Sequence, residues 1–124
     1  MLSAKQTLGA FGEEYARTHL TALGYRVRGR NIRLKAGEID ILAYEGGALV
    51  FIEVRTREVG GRFGTPEESI TRVKAERLAR VANEYLRTLK VLPVSWRIDI
   101  VAMDVTADGR VARIDVLKNA VGES

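Results

Sequence analysis

Residues 37–57 read G-E-I-D-I-L-A-Y-E-G-G-A-L-V-F-I-E-V-R-T-R. Two apolar runs flank Gly46-Gly47, and this predicts a β-hairpin, because tight hairpin turns need the positive φ angles that glycine adopts without steric cost. A two-residue turn there pairs Glu45 with Ala48, and each step back along the first strand matches one step forward along the second. Counting onward predicts Asp40 opposite Glu53 and Glu38 opposite Arg55. One face of the hairpin then carries Ile39, Ile41 and Ala43 beside Val50, Ile52 and Val54, a dry surface for a helix. The other carries Glu38, Asp40, Leu42 and Tyr44 beside Leu49, Phe51, Glu53 and Arg55.

Charges inside a strand pattern need a reason. Carboxylates directly opposed across a ladder have Cβ atoms roughly 4.5–5.5 Å apart and repel. They are tolerated when one is protonated, when an arginine neutralises them, or when a cation lies between them. Oxygen donors with no Cys or His nearby suit a hard divalent ion, magnesium or manganese. Such an ion can activate a water against a phosphate, with Arg55 as the nearby stabilising cation and Glu13 available to complete the ligand shell. The competing reading is an internal charge network: Glu38 with Arg55, Asp40 with Arg57 or Arg33, and Glu53 with any arginine in reach. The spacing alone leaves both open.

Outward from the hairpin, Leu8, Phe11, Gly12, Tyr15, Ala16, His19, Leu20 and Leu23 recur at helical spacing, predicting a helix over 3–23 that Gly24 ends. Glu14 projects away from that stripe into solvent, whereas Glu13 falls on its edge. His19 belongs to the packed stripe. Over 25–35, Arg26, Arg28 and Arg30 alternate, so in a strand they share one face. That face meets either water, as on a solvated edge strand, or an anion, as a phosphate-facing rail. Arg33, Arg57 and Lys74 extend the same cationic set.

Downstream, Thr65, Pro66 and Glu68 form a T-x-x-E capping box that predicts the start of a second helix. Its expected buried stripe is Ile70, Val73, Leu78, Val81, Ala82, Tyr85, Leu86 and Leu89, ending before Pro93. Ser95–Asp104 reads as an apolar strand with Trp96 in the core and Arg97 and Asp99 on one face. Asp108-Gly109 turns the chain into a last strand, 110–117, and 118–124 reads as a loose tail. The order is α-β-β-β-α-β plus a C-terminal strand. A strand–helix–strand crossover within one sheet returns parallel, so the expected fold is α/β, a mixed β-sheet flanked by helices, with Asp99 one strand from Glu53 on the same face.

The chain has 124 residues, a length that suits a single domain over 1–124. Its composition, 46% hydrophobic and 29% charged, is that of a globular protein. There is no cysteine, which excludes a disulfide framework and a thiolate zinc site. The N-terminal run lacks a signal-peptide core, and no apolar run approaches membrane-spanning length, so a cytoplasmic protein with no membrane partner is expected. Net charge is +4, and fifteen of the 20 basic residues are arginine. Guanidinium forks suit phosphate, and this bias leans toward nucleic acid.

Several motifs in register resemble one family. They are Gly9, Gly12, Glu13 and Ala16 (G-x-x-G-E-x-x-A), then Leu20, Gly24 and Tyr25, Asn31 and Arg33, G-E-I-D at 37–40, F-I-E-V-R-T-R at 51–57, F-G-T-P at 63–66, Lys74, and R-I-D at 97–99. In this order they resemble the YraN-like family over nearly the whole chain. The resemblance implies a restriction-endonuclease-like fold with a PD-(D/E)xK-type site, similar to Holliday-junction resolvases. It implies Asp40 as the motif aspartate, Glu53 as the motif glutamate, and Glu13 as the helix-borne acid that joins them around metal. The partner implied is DNA, branched or otherwise structured, with a homodimer by analogy to enzymes that make paired cuts. The family usually has lysine where this chain has Arg55. Arginine stays charged and cannot act as a base, so the metal alone activates water, or Lys74 or Lys35 reaches in, or the protein binds without cutting.

Overall fold

The structure, a computed structural model, describes residues 5–59 and 71–121. Helix α1 (Lys5–Ala22) precedes three strands, β1 (Arg26–Arg33), β2 (Glu38–Glu45) and β3 (Ala48–Glu58). Helix α2 (Arg72–Leu86) then leads to β4 (Ser95–Val105) and β5 (Val111–Leu117). The five strands form one sheet in the order β1-β2-β3-β4-β5. It is mixed as expected: β3 and β4 run parallel across the α2 crossover, and the other neighbours are antiparallel. Glu45 pairs with Ala48 around Gly46, whose φ is 63°, so the glycine pair makes the turn its sequence predicts.

Each face of the sheet buries a cluster under a helix. Ala16 and Leu20 of α1 pack on Ile41, Ala43, Val50 and Ile52. Val81, Ala82 and Leu86 of α2 pack on Leu42, Leu49, Phe51 and Ile98. α1 stops where Gly24 takes φ 102° and Tyr25 N–H donates to the Leu20 carbonyl at 3.0 Å. Among the described residues no helix is long and apolar enough to cross a membrane.

Five expectations change in detail. The described part of α2 starts at Arg72, where the Thr71 hydroxyl accepts from the Lys74 N–H; the Thr65–Glu68 box and Ile70 lie outside the described residues. Val73 is 71% exposed, because a helix that begins at Arg72 turns it away from the sheet. Tyr15 and Leu23 are likewise exposed at the margin of α1. Trp96 is 39% exposed, stacked edge-on against Phe51 at the rim rather than within the core. The tail is tied down through Ala120, whose N–H donates to the Ile98 carbonyl at 2.9 Å, while 122–124 lie outside the described residues.

Gly12 sets how closely α1 approaches the sheet. A Cβ built there would lie 2.3 Å from Thr56 Oγ1. Gly12→Ala therefore turns Thr56 out of its rotamer or lifts α1 from β3, and a lifted α1 moves the neighbouring Glu13 with it. The expected cost is about 1–3 kcal/mol, read as a lower Tm, and Thr56→Ala in the same chain should restore most of it. An unchanged Tm in Gly12→Ala would show that the helix has room to spare.

Candidate functional site

The site forms where the two central strands part. β2 and β3 are paired from Glu45↔Ala48 to Ile41↔Ile52, the predicted register. Beyond that, β2 stays with β1 through Ile39↔Ile32 and Glu38↔Arg33, and β3 stays with β4 as far as Glu58↔Val105. The Asp40–Glu53 step falls just past the end of the ladder. Asp40 closes the gap with its side chain: Val54 N–H donates to Asp40 Oδ2 at 2.8 Å. The side-chain alternation inverts at the same place, since Ile39 packs under α2 whereas Ile41 packs under α1. Ile39, Ile41 and Ala43 thus do not share one face, and Glu38 turns toward α1 rather than toward Arg55.

This inversion brings three acids together. Carboxylate oxygens of Glu13, Glu38 and Asp40 lie within 4.8 Å of one another. Glu13 is aimed by Asn31, whose Nδ2 donates to Glu13 Oε1 at 2.8 Å. Asn31 itself has φ 52°, a left-handed conformation that asparagine tolerates better than most residues. Glu53 borders the same cleft of about 310 Å³, with Arg77, Leu78 and Val81 on its α2 side and Gly37 of the β1–β2 turn at its edge. Arg55 Nη1 donates to Glu53 Oε2 at 3.3 Å. Of the acids proposed from sequence, Glu13 and Asp40 are therefore in mutual reach, and Glu53 lies beside them on the arginine. Glu38 is the member that counting left paired with Arg55, although the shared face of Glu38 and Asp40 in G-E-I-D carried the signal.

Within this cluster the electrostatic strain falls on Asp40. Burial pushes the Asp40 carboxyl up to about 8, and the charge of Glu53, with smaller effects of Glu13 and Glu38, adds to the rise against the Val54 hydrogen bond. Such a group either holds a proton or calls for a cation. The donors are all carboxylate oxygens, and this set fits magnesium or manganese.

The arginines are distributed differently from the predicted rail. A register shift between Val27 and Gly29 puts a bulge at Arg28. Arg26 and Arg28 consequently lie over the Tyr44 ring, 6.0 and 5.8 Å from its centre, while Arg30 turns to α1 and pairs with Glu14 at 2.5 Å. Glu14 is thus held between Arg17 and Arg30, and their hydrogen bonds lower its carboxyl to about 2. Arg33 is largely exposed, 3.7 Å from Glu38. Arg57 and Arg113 share Asp104, each at 3.1 Å. Lys74 is half-buried on α2.

Asp99 does not join the site. It pairs with Ile52, and Ile52 faces α1, so it lies on the opposite face from Glu53. There it is fully buried and accepts from Tyr25 Oη at 2.8 Å, Arg97 Nε at 2.9 Å and the Asn119 N–H at 2.9 Å. Arg97 continues to Glu45 at 2.8 Å, and Lys118 joins Glu45 at 3.3 Å. The R-I-D motif is a structural lock on the tail.

Residues 12–103 match a family described as "Uncharacterised protein family UPF0102". The chain is 47% identical over 113 residues to the UPF0102 protein STH1475 of Symbiobacterium thermophilum, covering 91% of this chain and 94% of that protein. It is 47% identical over 102 residues to UPF0102 protein CT2262 of Chlorobaculum tepidum, covering 82% and 78%. It is 42% identical over 120 residues to a UPF0102 protein of Moorella thermoacetica, covering 97% and 99%. With the hairpin motifs and Gly12, Glu13 and Ala16 of α1 inside the matched span, the chain belongs to the UPF0102 family, the YraN-like group.

Proposed function

We propose that the cleft is a magnesium- or manganese-dependent phosphodiesterase site acting on nucleic acid, DNA first, with branched or structured substrates as the preferred class. The observation that carries this is the convergence of Glu13, Glu38 and Asp40 within 4.8 Å, beside Glu53 and its arginine. The resemblance of G-E-I-D and F-I-E-V-R to a PD-(D/E)xK-type site supports the same reading. Glu13, Asp40 and either Glu38 or Glu53 would hold the ion, which when bound supplies a lowered water pKa and stabilisation of charge at phosphorus. Asp40 is oriented by the Val54 N–H. Arg55 stabilises negative charge from beside Glu53 but, as a guanidinium, serves as no base. Arg26 and Arg28 offer further contacts along the β1 edge.

A second reading is favoured by one observation: Arg55 stands at the lysine position and is engaged with Glu53. On it, the protein binds nucleic acid without turnover. Cleavage of labelled duplex, branched and single-stranded DNA and RNA in magnesium, manganese and EDTA separates the two. Metal-dependent cutting that falls about 100-fold or more in Glu53→Ala is expected, since even the loss of an outer-shell partner costs up to that much. Equal activity in wild type and Glu53→Ala would assign the cutting to a contaminant. Metal-insensitive binding with no cutting would establish the second reading.

A further inference from the structure

We infer that Arg77 is the phosphate-positioning residue of the cleft, contributed by α2 from the wall facing the acids. The inference rests on the phosphodiester reading above and adds a residue to it. A phosphodiester carries a negative charge, and a cleft lined by Glu38, Asp40 and Glu53 with Glu13 beside it repels that charge. Binding therefore needs a cation that is not already spent on an internal acid. The other arginines near the cleft have such acids: Arg55 lies 3.3 Å from Glu53, Arg33 lies 3.7 Å from Glu38, and Arg57 lies 3.1 Å from Asp104.

Arg77 differs in both respects. It borders the same cleft as Asp40 and Glu53, and among the described residues no carboxylate pairs with it. It is also exposed, so its guanidinium reaches the substrate without desolvating a buried charge. α2 carries no acid in its first turn, and Lys74 stands three residues before Arg77, on the same side of the helix. The α2 wall is thus a positive surface opposite a negative one. A strand lying between them presents its phosphorus to the acids and metal while a guanidinium fork takes its non-bridging oxygens in pairs. The backbone around the cleft is built to hold this wall in place. The Glu84 carboxylate accepts the N–H groups of Lys35 and Ala36 at 3.1 and 2.9 Å, anchoring the β1–β2 turn to α2. Close by, a Cβ on Gly37 would come within 3.0 Å of Val81.

The test measures binding of a fluorescein-labelled duplex and its single strand across a salt series, with calcium in place of magnesium, followed by cleavage kinetics in manganese. The proteins compared are wild type, Arg77→Gln, Arg77→Lys and Arg72→Gln. Arg72 is a control on the same helix, 92% exposed and paired with Glu76. Arg77→Gln should weaken binding about tenfold and lower the slope of log affinity against log salt by about one, the signature of one lost phosphate contact. Its KM should rise with little change in kcat. Arg77→Lys should keep the slope and regain part of the affinity, and Arg72→Gln should match wild type. Identical affinities and slopes in Arg77→Gln and Arg72→Gln, with wild type binding normally, would overturn the assignment of Arg77 alone. Failure of wild type to bind either DNA in any metal would overturn the phosphodiester reading and Arg77 with it.

Discussion

Asp99→Ala is expected to cost about 3–5 kcal/mol, a fall in Tm of roughly 10 °C or more, and to do so without touching the acidic cleft. Asp99 is fully buried and receives Tyr25 Oη, two nitrogens of Arg97 and the Asn119 N–H. Removing the carboxylate leaves the Tyr25 hydroxyl, in a residue only 2% exposed, without its acceptor and Arg97 with Glu45 as its remaining carboxylate. Burial, with the hydrogen bond to Asp99 next, pushes Tyr25 up to about 12, so this lock does not open by tyrosine ionisation anywhere near neutral pH. Tyr25→Phe loses one hydrogen bond to a charged acceptor and should cost about 1.5–3 kcal/mol. Thermal unfolding checks both. Manganese affinity of the folded Asp99→Ala protein, measured well below its Tm, should equal that of wild type; a large loss would place Asp99 in the site after all.

Asp40→Asn is expected to make the protein more stable at pH 8 while removing its response to metal. The sign follows from the raised pKa. Below about pH 4 the aspartic acid is protonated in folded and unfolded chains alike and contributes no difference. As pH rises, the unfolded chain gives up its proton near the ordinary aspartate value, whereas the folded chain keeps it until about pH 8. Wild type therefore loses stability across that window, by on the order of a few kcal/mol at its upper end. Asparagine has no charge to bury, still offers an oxygen to the Val54 N–H, and its NH2 group has the carboxylates of Glu13 and Glu38 as acceptors. The Tm difference between variant and wild type should be near zero at pH 4 and reach several degrees at pH 8. Adding manganese should raise the Tm of wild type, because the ion takes the place of the proton, and should leave Asp40→Asn unmoved. A variant less stable than wild type at pH 8 would show that Asp40 is stabilised by its surroundings rather than strained by them.

The sequence is informative here wherever structure is local, and misleads where strands bend. The glycine pair and the alternation around it carry the hairpin register, because a turn of fixed length leaves one pairing that keeps Ile41, Ala43, Val50 and Ile52 on a single face. The parallel return of β4 follows from chain handedness. The parting of β2 from β3 is different: it depends on Asp40 replacing a ladder carbonyl at Val54, a side-chain choice that periodicity does not encode. That one bond ends the pairing, and just there the alternation inverts, with Ile39 under α2 and Glu38 beside Glu13. The bulge at Arg28 has the same character. It turns an evenly spaced arginine row into one pair over Tyr44 and one residue held by Glu14. Asp99 misled for a third reason. Strand adjacency to β3 was correct, but the register pairs Asp99 with Ile52 and Ile100 with Glu53, and this single-residue offset moves Asp99 to the other face.

Anomalous diffraction from a crystal grown with manganese decides whether the acids at the parted strands hold a divalent cation. The expected result is an anomalous peak in the cleft at ligand distance from Asp40 and Glu13, with Glu38 or Glu53 as the next carboxylate and Arg55 turned toward the remaining open side. A cleft without a manganese peak, with the Asp40 side chain still on the Val54 N–H and the Glu13 and Glu38 carboxylates turned apart into solvent, would contradict it.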